Sequence, residues 1–235
     1  MEAIVLAGGY GTRLTCVPAG CPKVLAPVRG VPFVEHLLNH LKQQGISRIV
    51  MCVGYRGQEV ERFLGGGEQF GLSIEYSYDD EHQSDFARGA AFAVRRACRL
   101  VQEPFFVVNG DTLVPGLWAP ILEYHISSGY LATIAVYNNA NRIWPSNVEL
   151  SNGRVQRYSK KAQTEETLFI DAGVGIFCAE VFELCGGVTE MPDVLSALSN
   201  LGLLGGFEMS SRFYEINTPA SLDDMEHYLA SSEKS

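Results

Sequence analysis

The chain has 235 residues, of which 46% are hydrophobic and 19% charged, and this composition excludes an intrinsically disordered chain, a collagen-like repeat and a coiled coil. The length favours one domain, which we place at residues 1–230 with a disordered tail at 231–235. A net charge of −9 argues against nucleic acid or an anionic membrane as a partner, so a phosphate ligand would need a few placed cations and backbone amides.

The first half of the chain alternates short apolar runs with helical patterns. Strands are predicted at residues 3–6, 48–53, 73–78 and 105–108. Helices are predicted at 33–41, through Val60 and Leu64, and at 89–100, where Arg95, Arg96 and Arg99 are interpreted as a solvated face. Such alternation is typical of βαβ units with helices on both faces of a sheet.

After Asp111 the spacing changes to short strands separated by turns. Strands are predicted at 131–136, 148–150, 155–158 and 169–177, with a turn at Ser151-Asn152-Gly153. A last helix is expected to begin with Thr218 as N-cap and Pro219 as first residue, and to end near Leu229. The predicted fold class is a three-layer α/β domain with a mixed, mostly parallel sheet and a more antiparallel second half.

Neither the cysteines nor the N-terminus indicates an exported or metal-binding protein. The six cysteines form no C-x-x-C pair and do not cluster with the five histidines, which argues against zinc and favours reduced thiols. No apolar run is long enough for a signal peptide or a membrane span, so we expect a cytoplasmic protein.

A glycine-rich loop follows the first predicted strand, in the segment Leu6-Ala7-Gly8-Gly9-Tyr10-Gly11-Thr12-Arg13-Leu14. It is not a Walker loop, and Leu14 stands where a dinucleotide fingerprint has its third glycine. Its glycines allow close approach of a ligand and direct N–H groups at an anion. Arg13 is the charged residue of this loop and suits phosphate oxygens, and Pro22-Lys23 follows shortly after.

These residues resemble the sugar-1-phosphate nucleotidyltransferases, whose signature is L-A-G-G-x-G-T-R-L followed by P-K. The similarity continues through four further segments over nearly the whole chain. They are the segment from Leu25 to Glu35, Asn109-Gly110-Asp111, Asp171-Ala172-Gly173 and Glu215-Ile216-Asn217-Thr218-Pro219. The pattern is most similar to the short guanylyltransferases that act on D-glycero-D-manno-heptose 1-phosphate. The resemblance implies a Rossmann-like nucleotidyltransferase fold.

The resemblance implies a role for each matched residue. The expected catalytic residues are Arg13, Lys23 and Asp111. The expected nucleotide-binding residues are Leu6, Ala7, Gly8, Gly9, Gly11, Thr12, Arg13, Arg88, Gly89, Asn109 and Gly110. The expected sugar-phosphate-binding residues are Lys161, Asp171, Ala172 and Gly173. Asp111 and Asn217 are the expected ligands of Mg²⁺, with Glu215 as the alternative to Asn217.

One segment departs from the family pattern. Where relatives carry P-L-G-T-G-G-A, this chain has Asp85-Phe86-Ala87-Arg88-Gly89-Ala90-Ala91, in a loop that the resemblance places against the base and ribose. Arg88 is interpreted either as a nucleotide contact or as a solvated residue at a helix start. The pair Lys160-Lys161 is likewise either a sugar-phosphate contact through Lys161 or a surface pair.

The expected reaction joins a sugar 1-phosphate to a nucleoside monophosphate from GTP and releases pyrophosphate. The sugar implied by the resemblance is D-glycero-D-manno-heptose. Mannose or glucose 1-phosphate with another nucleoside triphosphate remains an alternative, as do a weakly active binding relative and a transferase for a non-sugar phosphate. The expected partners are these two substrates, with association into a homo-oligomer left open.

Overall fold

The structure is a computed structural model that describes residues 1–9, 14, 20–78 and 89–232. Its strands are β1 (Glu2–Leu6), β2 (Pro27–Val28), β3 (Val31–Pro32), β4 (Arg48–Val53), β5 (Ser73–Tyr78), β6 (Phe105–Asn109), β7 (Thr112–Leu113), β8 (Ala132–Asn138), β9 (Val148–Ser151), β10 (Arg154–Tyr158), β11 (Phe169–Phe177), β12 (Leu204–Met209) and β13 (Tyr214–Glu215). Its α-helices are α1 (Phe33–Gln43), α2 (Gly57–Leu64), α3 (Ala90–Ala97), α4 (Ala119–Ser128), α5 (Glu180–Leu184), α6 (Met191–Leu201) and α7 (Pro219–Ser232).

The main sheet is mixed. Its strand order is β5-β4-β1-β6-β11-β8-β12-β10-β9. The strands from β5 to β6 pair in parallel, whereas β11 runs antiparallel to both of its neighbours, β6 and β8. The antiparallel second half therefore extends the sheet of the first half, as predicted.

Helices cover both faces of this sheet. One apolar core holds side chains of α1, α2, α4 and α7, and the other holds side chains of α3, α5 and α6. Successive residues of β1 alternate between the two cores, with Ala3 and Val5 on one side and Ile4 on the other. This arrangement confirms the three-layer α/β fold class.

Several predicted elements match the structure closely. The strands predicted at 48–53, 73–78 and 169–177 have those bounds. The turn between β9 and β10 is confirmed, because Asn152 and Gly153 both have positive φ, as the tight hairpin turn of type I′ requires. Thr218 caps α7, since its hydroxyl oxygen accepts the backbone N–H of Ser221 at 3.2 Å.

Other predictions need correction. Helices α4, α5 and α6 and strand β12 were not predicted. In β12 the pair Gly205-Gly206 is typical of a turn, yet a Cβ on either residue would lie within 2.6 Å of a packed side chain. The last helix continues to Ser232, so Ser231 and Ser232 are helical and do not belong to a disordered tail. Residues 233–235 lie outside the described residues.

Arg95 is not a solvated residue. Its guanidinium donates hydrogen bonds to the carbonyl oxygens of Phe182, Cys185 and Val188 at 2.7 to 3.1 Å. This side chain therefore ties α3 to α5 and to the segment that follows it. Among the described residues, no helix is both long and apolar enough to cross a membrane.

Candidate active site

Three parallel strands end side by side at the edge of the sheet where the candidate site lies. Leu6 of β1 is in register with Cys52 of β4 and with Asn109 of β6. Strand β11 pairs with β6 from Val174 onward, and this brings the segment 171–173 to the same edge. Open α/β sheets bind ligands at the carboxyl ends of their parallel strands, so the topology favours a site here.

A pocket of about 270 Å³ opens where β1 and β4 end. We call it the glycine pocket, and it is lined by Leu6, Gly8, Gly9, Cys52, Gly89, Ala90, Ala93 and Glu190. Four of the predicted nucleotide-binding residues therefore share this pocket: Leu6, Gly8, Gly9 and Gly89. Its walls are mostly apolar side chains and glycine backbone, which suit a flat, partly apolar ligand.

The other residues predicted for the glycine-rich loop and for the loop at 85–91 do not line this pocket in the described part of the chain. Gly11, Thr12, Arg13 and Arg88 lie outside the described residues. Ala7 is buried, and its backbone N–H donates to the Cys52 carbonyl oxygen at 2.8 Å. Ala7 therefore holds the end of β1 against β4.

Gly89 has a structural requirement of its own. Its φ is +92°, and a Cβ at this position would lie 2.4 Å from the backbone oxygen of Thr189. The chain passes so close to Thr189 that only glycine fits without movement of the backbone. Gly89 therefore brings the start of α3 against residues 189 and 190, which adjoin the glycine pocket.

A second cavity, the Asp171 cleft, lies on the other side of β6 and has a volume of about 310 Å³. It is lined by Asn109, Thr112, Trp144, Pro145, Ser146, Asn147, Lys160, Ile170, Asp171, Ala172, Gly173, Phe213, Glu215 and Asn217. The predicted sugar-site residues Asp171, Ala172 and Gly173 thus share one cavity with the predicted metal ligand Asn217.

A small cavity of about 40 Å³ has walls in common with both larger ones. Leu6 lines it together with Asn109, Asp171 and Gly173. Leu6 belongs to the glycine pocket and the other three to the Asp171 cleft. Asn109 was predicted to bind nucleotide, but the structure places it on the cleft side.

Lys23, Asp111 and Asn217 form a polar centre beside the cleft. The Lys23 Nζ lies 2.6 Å from Asp111 Oδ2 and also donates a hydrogen bond to Asn217 Oδ1. The side chains of Lys23 and Asp111 are only 11% and 27% exposed. Asp111 follows β6, and its carbonyl oxygen accepts the N–H of Ile216 at 3.0 Å, which holds the segment with Asn217 beside it.

The oxygen atoms of this centre suit Mg²⁺. Asp111 supplies a carboxylate and Asn217 an amide oxygen, and both already accept from one cation, the Lys23 ammonium. Hard oxygen donors of this kind are the protein ligands that Mg²⁺ prefers. Glu215, the alternative ligand, also lines the cleft.

Gly110 and Gly173 allow the segments around this centre to approach closely. The Gly110 N–H donates to the Leu6 carbonyl oxygen at 2.9 Å, and a Cβ on Gly110 would lie 2.5 Å from that oxygen. Gly173 has a φ of +81°, and a Cβ there would lie 2.6 Å from Asn109 Nδ2. The glycines of both predicted motifs are therefore required by packing at the ends of β1 and β6.

Asp171 is held in place by three neighbours. Its Oδ2 accepts the Tyr158 hydroxyl at 3.1 Å, its Oδ1 accepts the Gly173 N–H at 2.9 Å, and its own N–H donates to Asn147 Oδ1. Burial raises the pKa of the Asp171 carboxyl, although the Gly173 N–H and the charge of Lys160 oppose the rise. Asp171 lines the cleft, and its carboxyl oxygens can accept further hydrogen bonds, for which sugar hydroxyls are suitable donors.

The lysine on the wall of the Asp171 cleft is Lys160, whereas the prediction named Lys161. Lys160 lines the cavity and its charge acts on Asp171. Both lysines are exposed, but Lys161 does not line the cleft, and its backbone N–H donates to Ser159 Oγ at 3.3 Å. The turn at Ser159 decides which lysine faces the cleft, and sequence spacing alone does not reveal this geometry.

The outer wall of the cleft consists of residues that sequence reasoning missed. Trp144 stacks on Phe213 with ring centroids 5.6 Å apart. The loop that carries Trp144 is fixed by Asn139, whose Nδ2 donates to Trp144 O and Ser146 Oγ. This loop has no periodicity, so the sequence contains no signal that would place it in the site. Glu190 of the glycine pocket was also missed, because it directly precedes α6, a helix that was not predicted.

The fold and the two cavities define an α/β protein with a ligand site at the carboxyl ends of its parallel strands. The sequence signature of the nucleotidyl transferase family matches residues 2–197. The chain belongs to this family.

Individual relatives agree with this assignment. The D-glycero-α-D-manno-heptose 1-phosphate guanylyltransferase of Aneurinibacillus thermoaerophilus is 29% identical, over 97% of this chain and 100% of that protein. A mannose-1-phosphate guanylyltransferase of Mycobacterium tuberculosis is 30% identical over 78% of this chain, but the match spans only 50% of that protein. The solved structure of HddC from Yersinia pseudotuberculosis superposes with a TM-score of 0.79 at 21% identity. The superposition covers 97% of this chain and 99% of that chain, and it supports the fold.

Proposed function

We propose that the protein transfers GMP from GTP to D-glycero-D-manno-heptose 1-phosphate and releases pyrophosphate, with Mg²⁺ as cofactor. One observation carries the proposal: four residues expected to bind nucleotide line the glycine pocket, three expected to bind sugar phosphate line the Asp171 cleft, and both cavities share walls with one small cavity. Two substrates held in adjoining cavities are positioned for direct transfer from one to the other.

In this proposal the glycine pocket takes the nucleoside and the Asp171 cleft takes the sugar. A phosphate oxygen of the sugar phosphate attacks the α-phosphorus of the nucleotide, and pyrophosphate leaves on the opposite side. Both reactants are anions, so the main tasks of the protein are to hold them in line and to offset their repulsion. Backbone N–H groups of the glycine loop serve the nucleotide, and the predicted role of Arg13 is to bind its phosphates.

In this proposal Lys23 serves the reacting phosphates. Its ammonium is a compact charge, and it is held by Asp111 and Asn217 next to the Asp171 cleft. Asp111 and Asn217 would hold Mg²⁺, which when bound supplies positive charge to the phosphate oxygens. A phosphate that enters this centre competes with Asp111 and Asn217 for the Lys23 ammonium. In this proposal the ammonium then turns toward the phosphate oxygens, on which negative charge develops during the reaction.

The sugar and the base are assigned with support from the relatives. The heptose 1-phosphate guanylyltransferase matches over its whole length, which supports the heptose and GTP. The mannose-1-phosphate guanylyltransferase supports the same base with a smaller sugar, and mannose 1-phosphate is therefore the second candidate. The stacked pair Trp144 and Phe213 on the outer wall offers apolar surface to a sugar that extends beyond a hexose ring.

A pyrophosphate-release assay tests the proposal. GTP, ATP, UTP, CTP and dTTP are each combined with heptose, mannose and glucose 1-phosphates, with and without Mg²⁺. We expect the highest kcat/KM for GTP with heptose 1-phosphate and no turnover in the presence of EDTA. A tenfold or greater preference for UTP, CTP or dTTP would overturn the guanylyl assignment. No pyrophosphate from any pair would overturn the proposed activity.

A further inference from the structure

Glu190 places a carboxylate on the wall of the glycine pocket. The residue is exposed, and its Oε1 lies so close to Gly89 that a Cβ on Gly89 would be 2.6 Å away from it. Gly89 and Glu190 both line the pocket, together with the apolar side chains of Leu6 and Cys52. The carboxylate is the one ionisable carboxyl group on the described lining of an otherwise apolar and glycine-lined pocket.

The segment that carries Glu190 is firmly held. Arg95 donates three hydrogen bonds to the carbonyl oxygens of residues 182, 185 and 188, just before it. The Thr189 carbonyl oxygen accepts the N–H groups of Ala91 and Phe92 at 2.8 and 3.2 Å. The backbone just before Glu190 is therefore fixed against α3, and Glu190 extends into the pocket wall from this support.

Glu190 contributes to local structure mainly through its backbone. Its carbonyl oxygen accepts the N–H groups of Asp193 and Val194 at the start of α6, and its side chain makes no capping hydrogen bond to that helix. The first amides of α3 are taken by Thr189. The position of the Glu190 carboxylate is therefore not explained by a role in capping α6 or α3.

We propose that Glu190 selects guanine by accepting hydrogen bonds from N1–H and the 2-amino group of the base. This inference rests on the proposed guanylyl transfer and assigns its base selectivity to one residue. A carboxylate has only acceptor oxygens, so it needs a partner with adjacent donors. On its Watson–Crick edge, guanine presents two neighbouring N–H donors.

The other bases lack this arrangement. Adenine and cytosine each place a ring nitrogen acceptor beside their amino group, and uracil and thymine place N3–H between two carbonyl oxygens. Each would set an acceptor against the carboxylate, which is repulsive. Charge-assisted hydrogen bonds of this kind are roughly twice as strong as hydrogen bonds between neutral groups, which suits them to discriminate between bases.

The test compares GTP with ITP, which keeps N1–H but lacks the 2-amino group, and with 2′-deoxy-GTP, which lacks only the ribose 2′-hydroxyl. For the wild-type chain we expect kcat/KM to be about tenfold or more higher for GTP than for ITP. In Glu190→Gln and Glu190→Ala the preference for GTP over ITP should fall to within about threefold, through a loss with GTP of about ten- to hundredfold. Direct binding of GTP and ITP by calorimetry should show the same loss of discrimination.

Glu183→Gln is the matched control, because Glu183 is an exposed carboxylate on the neighbouring helix α5 and does not line the pocket. It should keep the wild-type GTP to ITP ratio. Thermal unfolding checks that the Glu190 variants are folded, and Glu190→Asp serves as a second variant if either one is not. An unchanged GTP to ITP ratio in folded Glu190 variants would overturn the inference. So would a loss of discrimination against 2′-deoxy-GTP alone, which would assign the carboxylate to the ribose.

The same assays separate this inference from the proposed function. A wild-type enzyme that uses GTP but whose Glu190 variants keep their selectivity contradicts only the role of Glu190. A wild-type enzyme that prefers a pyrimidine nucleotide contradicts both the guanylyl assignment and the role of Glu190.

Discussion

Replacement of Lys23 by methionine should slow turnover far more than it weakens nucleotide binding. The substitution keeps an unbranched side chain of similar length and removes the ammonium that lies 2.6 Å from Asp111 Oδ2 and also donates to Asn217. Loss of a preorganised charge at the reacting phosphates typically costs on the order of a hundredfold in rate. The GTP dissociation constant, measured by calorimetry, should rise by less than about tenfold, because the glycine pocket is untouched.

The structural cost of the same change should be modest. Lys23 is 11% and Asp111 27% exposed, so water can reach part of the carboxylate that is left behind. We expect a loss of about 1–2 kcal/mol in the free energy of unfolding, less than for a fully buried pair. For a chain of this size that corresponds to a decrease in Tm of roughly 2–8 °C, measurable by calorimetry.

Mg²⁺ binding provides an independent readout of the same variant. The Lys23 ammonium occupies hydrogen-bonding positions on both expected metal ligands, so its removal should lower the Mg²⁺ concentration needed for half-saturation. Mn²⁺ binding followed by electron paramagnetic resonance tests this without turnover. Lys42→Met is the control, since Lys42 is exposed and donates only to the Phe70 carbonyl oxygen in the described hydrogen bonds. Equal losses in rate and GTP affinity, or weaker Mn²⁺ binding, would refute this reasoning.

Three further predictions concern other parts of the site. Asn217→Ala should raise the Mg²⁺ concentration for half-maximal rate severalfold, and if only Glu215→Ala does so, the second ligand is Glu215. Lys160→Ala should raise the KM for the sugar phosphate about tenfold at nearly constant KM for GTP, whereas Lys161→Ala should change neither KM. The reverse result would assign the sugar-phosphate contact to Lys161. Gly110→Ala should lower the free energy of unfolding by about 1–3 kcal/mol, because its Cβ would lie 2.5 Å from a carbonyl oxygen of β1; an unchanged urea midpoint would contradict this close approach.

Local patterns were sufficient for much of the fold. The apolar, partly β-branched segments of β4 and β11 and the Asn152-Gly153 turn depend on short-range preferences, and their bounds followed from the sequence alone. Strand β12 did not follow, because its Gly205-Gly206 pair is there to make room for Tyr130 and Leu150, which are distant along the chain. Packing against distant residues outweighed local preference in that strand.

The candidate site was likewise only partly predictable from the sequence. The resemblance to the nucleotidyltransferases was enough to name Lys23, Asp111 and Asn217, with Glu215 as the alternative to Asn217. The contacts of the Lys23 ammonium with Asp111 and Asn217 join positions 88 and 194 residues apart, and they depend on how β6 and β13 are placed. The turn at Ser159 determines which lysine faces Asp171. The contacts of residues 182–189 with α3 bring Glu190 to the glycine pocket. A sequence motif identifies functional residues that lie close together along the chain. The position of a side chain contributed by a distant loop depends on three-dimensional packing, for which no local pattern exists.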